Sequence, residues 1–457
     1  MATVADLSPR SRMSYPDAPV HVLIIAYHFP PDSEVGAQRV TRFCRYLPEY
    51  GIHPTVITVE DRFRLLNDGS FPVPPGVRVE RTKVISNPLE WYGRLKSLMG
   101  RSRTPEGQIK TAAAAERKPG FFRTQLLNLL DIPDRHLGWY RPAIRKARET
   151  LRERPVDAIL STGPPWTPHL IARYLKKKYH LRWIADFRDP WALNFSLEKR
   201  PAWTRALNRR LEQSCVRRAD VVICNTDRLR DRFVEQYPDL PKEKFLTITN
   251  GFEDPVSRPV VSPDSQPQPV RLILHLGALY AQRRIDTFCQ ALADLARDGK
   301  IDSSSLKILF LGDSDPSAIA CAHRIAPELV AKQCIEFQPQ VGWQRAQEVL
   351  WDANLLLLFQ GGHRLQVPAK FYEYLLTGKP IFAVTERGAL TDLLEATDSG
   401  IWASPENSVE IASKFLSALA LKPQTPEEIQ RRWAGQFHYR FLTGRLASLI
   451  RDSSRAR

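Results

Sequence analysis

Residues 21–59, HVLIIAYHFPPDSEVGAQRVTRFCRYLPEYGIHPTVITV, set the architecture. Segment 21–27 is a nearly continuous apolar run, as a strand buried on both faces requires. After the turn HFPPDSEVG, Val40, Phe43, Leu47 and Tyr50 recur on one helical face, and Gly51 stops the helix. Segment 55–59 (TVITV) is the next strand. Apolar strand, amphipathic helix, apolar strand is a βαβ unit, so the spacing predicts a parallel sheet. Gly36 lies in the first strand–helix loop. A glycine there lets backbone approach a ligand, and a plain helix-entry turn uses the same residue.

The alternation continues outward. Strands are expected at 156–160, 183–187, 221–224 and 245–249, with helices from about 167, over about 202–218 and from 226. The stretch at about 61–140 interrupts the pattern and is too long for a plain loop, so it should hold structure of its own. Residues 255–269 (PVSRPVVSPDSQPQP) read as a linker between domains 20–254 and 270–425. The second series has strands at 270–275, 306–311, 335–337, 354–359, 380–384 and 401–403. Residues 1–19 are a polar tail. Residues 426–457 carry one long helical pattern (Ile429, Trp433, Phe437, Phe441) after the last strand, placed to cross back to the first domain. The class is α/β: two doubly wound, Rossmann-like halves. Ligands in such folds bind beyond the carboxyl ends of the strands.

Composition narrows the function. The 457 residues are 43% hydrophobic and 25% charged, as in an ordinary globular protein. Six cysteines form no CxxC pair, which argues against a zinc cluster or disulfide framework and for a reducing compartment. No run approaches the roughly 18 apolar residues of a spanning helix, and MATVADLSPRSRMSYPDAP lacks the apolar core of a secretory signal. A cytoplasmic location is expected. The formal net charge of +16 calls for an anionic partner. No HExxH, Walker A or GxSxG pattern is present, and no metal site is expected.

The sharpest chemical signal is VPAKFYEYLLTGKPIFAV, 367–384. Pro368 suits the first turn of a helix, whose unsatisfied N–H groups make an anion site. Lys370 adds charge, and Glu373 follows on the same face. A nucleotide fits: diphosphate on the N–H groups, ribose on the carboxylate. An exposed lysine–glutamate pair on an ordinary amphipathic helix fits the pattern equally.

That segment resembles the nucleotide-binding segment of family 4 glycosyltransferases, which have the GT-B fold, in a branch reading P-x-K-x-x-E-Y-L. YHFPPDSEVGAQRV, STGPPWTPHLIA, ADFRDPW, TNGFE and LHLGALYAQRR resemble further family segments in order over most of 20–450. The resemblance implies a nucleotide-diphospho-sugar donor as substrate with no cofactor. It also implies retaining, metal-independent transfer of hexosyl type. Glu373 matches the ribose-binding second glutamate of an E-x7-E motif; Leu365 stands at the first, where Gln360, His363 or Gln366 could substitute. Val367, Pro368 and Gly277 line the donor site. Arg283, with Arg284 as its rival, falls where the family has a diphosphate-binding lysine, and joins Lys370 on the leaving group. Arg188 and Asp189, in ADFRDPW with Asp186, fall just past a strand end beside the donor sugar. His169 is either site-lining or a structural histidine.

The expected acceptor is a glycan or lipid-linked precursor, in envelope or extracellular polysaccharide synthesis. A GT-B sugar-nucleotide epimerase is the alternative and would draw its acid and base from Glu34, Asp131, Asp134 and Asp186. A basic nucleic-acid-binding protein is a weaker rival, since no recognition motif supports it. In the insert, Trp91, Leu95, Leu98 and Met99, then Phe122, Leu126 and Leu129, keep helical spacing. Segment 91–125 holds eight basic and two acidic side chains, which suits an anionic membrane surface at the inner face. Packing on the domain would use the same apolar faces.

Overall fold

The computed structural model describes residues 19–32, 35–63, 72–85, 125, 128–254, 270–280, 283 and 285–452. Residues 1–18 of the tail, the linker 255–269 and most of the insert, with Trp91, Leu95, Leu98, Met99, Phe122 and Leu126, lie outside the described residues.

Strands β1 (Val20–Ile25), β2 (Ile52–Val59), β3 (Arg78–Thr82), β4 (Ala158–Gly163), β5 (Arg182–Phe187), β6 (Val221–Cys224) and β7 (Phe245–Thr247) form the first sheet. Its order is β3-β2-β1-β4-β5-β6-β7, all parallel. The second sheet holds β8 (Arg271–Leu276), β9 (Leu306–Leu311), β10 (Ile335–Gln338), β11 (Leu355–Gln360), β12 (Ile381–Thr385) and β13 (Gly400–Ala403). Its order is β10-β9-β8-β11-β12-β13, again parallel. In both sheets the chain runs outward one way from the first strand, then returns and runs the other way. The reversal points lie between β1 and β4 and between β8 and β11, where a doubly wound sheet opens a binding crevice. This is the GT-B architecture.

Alternation along each strand feeds two cores per sheet. Leu23 and Ile25 join one core, Val22 and Ile24 the other; Ile273 and Leu274 divide the second sheet's cores likewise. The insert contributes β3, an edge strand paired only with β2 and only partly buried. The 426–450 pattern is two helices, Pro426–Phe437 and Tyr439–Arg451, broken at the extended His438. The first packs Ile429 and Phe437 into the second domain. The second packs Leu442, Leu446 and Ile450 into the first domain. No described helix is long and apolar enough to cross a membrane.

Candidate functional site

Gly277 ends β8 with φ +129°, a conformation that side chains rarely adopt. A Cβ there would lie 2.8 Å from Cε of Lys370. The glycine therefore gives Lys370 its place. Lys370 is the second residue of the Ala369–Thr377 helix, which Val367, buried at 4% exposure, anchors from below. Pro368 sits at the N-cap, one position before the expected first turn, and no side chain caps the helix start. Gly378 closes the helix with φ +69°. A cation, a bare helix start and a side-chain-free strand end meet at one point.

Arg283 joins them. Its Nη1 donates to the Ala278 carbonyl (2.7 Å), and its guanidinium lies 5.4 Å over the Tyr280 ring. Burial pulls its pKa below the usual arginine value. Among the described residues no carboxylate pairs with it. A desolvated cation without a counter-charge is stabilised by an incoming anion. Arg284 lies outside the described residues.

Across the cleft, Arg188 and Asp189 follow β5. Arg188 donates to the Pro164 carbonyl, and burial also lowers its pKa. Gly36 stands between two functional groups: a Cβ there would lie 3.1 Å from an Arg188 guanidinium nitrogen and 3.2 Å from His28 Cδ2. Asp189 accepts from Gln366 Nε2 at 2.6 Å, and burial raises its pKa. Asp186 is not past the strand end. It lies within β5, 2% exposed, and accepts from Arg39 (2.9 and 3.1 Å) and Thr162 (2.8 Å). His169 takes the structural role: fully buried, 2.8 Å from Ser161 Oγ and stacked on Phe187, its pKa is pushed down to about 3 by burial.

Lys370 and Glu373 part company. Lys370 lies over Gly277, while Glu373 faces Arg42 of the first domain at 3.6 Å. Arg42 is itself held by Glu253 at 3.1 Å and lies over the Tyr439 ring. Where the first glutamate of the motif is missing, Gln360 donates to the carbonyls of His363 (2.7 Å) and Gln366 (2.9 Å). Its Oε1 is buried and unpartnered, as is Nε2 of His275, whose Nδ1 lies 3.0 Å from the Leu357 carbonyl. Both residues line the cleft. Two bare acceptors there suit ligand hydroxyl groups. The sequence reading missed Arg42 and His275. Arg42 is polar on a helix read for its apolar face; His275 hides inside a strand.

The cleft is about 390 Å³ and is lined by both halves, including Arg39, Arg42, Arg188, Gly277, Arg283, His363 and Lys370. A second cavity of about 430 Å³ lies within the first domain and shares Arg188 and Asp189 with the cleft. Two compartments that meet at Arg188 and Asp189 can hold two substrates.

Residues 36–251 match the glycosyl transferase 4-like domain family. No curated protein matches the chain. Among solved structures, sucrose-phosphate synthase from Thermosynechococcus elongatus is similar, with TM-score 0.64 and 15% identity over 96% of this chain and 100% of that one. HepE from Anabaena in complex with UDP has TM-score 0.60 and 14% identity over 95% and 100%. A putative UDP-N-acetylglucosamine 2-epimerase from Listeria monocytogenes has TM-score 0.58 and 12% identity over 96% and 98%. At these identities the likeness is one of fold.

Proposed function

We propose that this protein is a glycosyltransferase that moves a sugar, of hexosyl type, from a nucleotide-diphospho-sugar to a glycan or lipid-linked acceptor. The reading includes retention of configuration, metal-independent chemistry and a role in envelope or extracellular polysaccharide synthesis. It places the protein in the cytoplasm, peripheral at the inner membrane face. The observation that carries it is the group of Lys370, Arg283 and the open Ala369–Thr377 helix start around Gly277. Charge grows on the leaving diphosphate in the transition state. Fixed cations and helix N–H groups aimed there lower the barrier by several kcal/mol. Arg188 serves the sugar side, and Glu373 receives ribose hydroxyls. The acceptor enters from the first-domain cavity, and the departing phosphate takes its proton.

The epimerase alternative needs free carboxylates in the first domain. Asp131 pairs with Arg200, and Asp134 accepts from the backbone of Trp166 (2.5 Å) and Thr167 (2.9 Å). Asp186 is held by Arg39 and Thr162. Glu34 lies outside the described residues. These commitments favour transfer.

Thermal-shift screening against nucleoside diphosphates and their sugars tests the reading. A ligand at 100 times its Kd stabilises by about 2.7 kcal/mol. If none of the panel shifts the melting temperature, the donor site is misassigned.

A further inference from the structure

The cleft carries more positive charge than a diphosphate uses. Arg39, Arg42, Arg188, Arg283 and Lys370 all line it. Arg39 and Arg42 are spent within the protein. Arg39 pairs with Asp186 at 2.9 Å; Arg42 pairs with Glu253 at 3.1 Å and faces Glu373 at 3.6 Å. Among the described residues, Arg188, Arg283 and Lys370 form no ion pair with a carboxylate. Lys370 and Arg283 stand around Gly277 and the open helix start, where the diphosphate goes. Arg188 is left over on the opposite wall.

The protein fixes Arg188 in place without neutralising it. Its backbone N–H donates to the Gly163 carbonyl at 2.9 Å, and its Nη2 donates to the Pro164 carbonyl. Gly36 leaves room for the guanidinium, since a Cβ there would lie 3.1 Å from Nη1 and 3.3 Å from Nη2. Arg188 Nε is buried and has no hydrogen-bond partner. A desolvated charged donor left unpaired is costly, so an incoming acceptor stabilises it. Asp189, next in the chain, is turned to Gln366 Nε2 at 2.6 Å. The other unpartnered groups of the cleft, Gln360 Oε1 and His275 Nε2, are neutral acceptors, because burial holds His275 uncharged at pH 7. They suit hydroxyl groups and set no negative charge against an anionic sugar.

We infer that the transferred sugar is a uronic acid, a hexose oxidised to a carboxylate, and that Arg188 is the residue that selects it. A guanidinium donates two coplanar bonds to a carboxylate. Lys370 and Arg283 then answer the diphosphate and Arg188 the sugar, whereas a neutral hexose would leave Arg188 buried and unpaired. Arg188 also lines the first-domain cavity, but an anionic acceptor would find Arg135 there, exposed and without a carboxylate partner among the described residues. The inference rests on the transferase reading and narrows its donor.

Calorimetric titration of the full chain with matched donors tests it: UDP-glucuronate against UDP-glucose, UDP-galacturonate against UDP-galactose, and GDP-mannuronate against GDP-mannose. In the pair whose base and ring the cleft accepts, the uronate should bind at least about tenfold tighter than its hexose. Arg188→Gln keeps a polar side chain without charge and should bring that ratio close to one. Arg188→Lys should keep part of it, because a point charge cannot donate two coplanar bonds. Circular dichroism checks folding, and the wild-type ratio decides by itself if neither variant folds. Equal affinities within every pair, a preference for the neutral hexose, or an undiminished ratio in folded Arg188→Gln overturns the inference. Nucleoside diphosphates are titrated alongside. If they bind and no uronate is preferred, the inference falls and the donor-site reading stands; if nothing in the panel binds, both fall.

Discussion

Arg42 and Glu373 stand 3.6 Å apart, one on the first helix of the N-terminal half and the other on the helix that opens at Pro368. The contact ties the candidate ribose carboxylate to the opposite domain. Thr226 Oγ1 donates to the Leu365 carbonyl at 2.6 Å, and Arg228 pairs with Asp392, so the halves touch at several points. Glu373→Gln keeps the shape and removes the charge. It should weaken nucleoside diphosphate binding about tenfold, the equivalent of about 1.4 kcal/mol. Calorimetric titration measures this, and an unchanged Kd would remove Glu373 from the site.

Domain closure follows from the same contact. Removing Arg42 leaves Glu373 without its cross-domain partner and Glu253 with Arg45 and the Tyr46 hydroxyl. In Arg42→Ala the ligand-free protein should open, and added nucleotide should compact it more than it compacts the wild type. Small-angle scattering reads both radii. Equal radii for the two ligand-free proteins would mean that the pair does not hold the cleft.

Lys370 and Arg283 should act on rate more than on substrate affinity. Each cation is aimed where charge appears during transfer. Lys370→Ala and Arg283→Ala should each lower kcat by about 10²–10³. Arg283→Lys should recover only part, because a point charge cannot donate two coplanar bonds. A normal kcat in either alanine variant would exclude that side chain from the leaving-group site.

Gly277→Ala probes geometry without touching charge. The added methyl meets Lys370 Cε at 2.8 Å and must adopt φ +129°. Strain of about 1–3 kcal/mol is expected. Nucleotide affinity should fall with it, because Lys370 has to leave its seat. A variant with wild-type melting temperature and wild-type nucleotide response would refute this packing.

Much of this was legible in the chain. Both parallel series could be placed because strands buried on two faces, such as 355–359, are apolar throughout. β3 was not, because RVERT at a sheet edge needs no apolar run. The break at His438 was hidden because Ile429, Trp433, Phe437 and Phe441 keep helical spacing across it. Lys370 and Gly277 could be named from the family resemblance. Their contact could not, nor the turn of Glu373 toward Arg42, because side-chain pairings between domains leave no periodic trace in sequence. Asp186 misled for a related reason: a carboxylate near a strand end reads as reactive until its buried arginine is seen.

The last prediction concerns acid stability. Burial pushes the pKa of His136 down to about 4 and those of His169 and His275 to about 3. All three are neutral in the folded protein at pH 7. Unfolded histidine titrates near 6.5, so between about 6.5 and these lowered values the unfolded chain binds protons that the native state refuses. Stability therefore rises with pH in that window and is lost as pH falls from about 6.5 toward 3–4. Each histidine contributes a slope of up to about 1.4 kcal/mol per pH unit. Asp189 and Glu212, whose pKa values burial raises, act oppositely: the folded state holds protons that the unfolded chain has released, so they lose stability as pH rises above the ordinary carboxylate range. The histidine effect is separated by substitution. His169→Gln keeps a polar group toward Ser161 and cannot charge. It should be less stable than wild type at neutral pH, but its denaturation midpoint should fall less steeply on acidification. Urea titrations at stepped pH measure the two slopes. Parallel slopes would mean that His169 takes up its proton in the native state and that its burial is not the source of acid sensitivity.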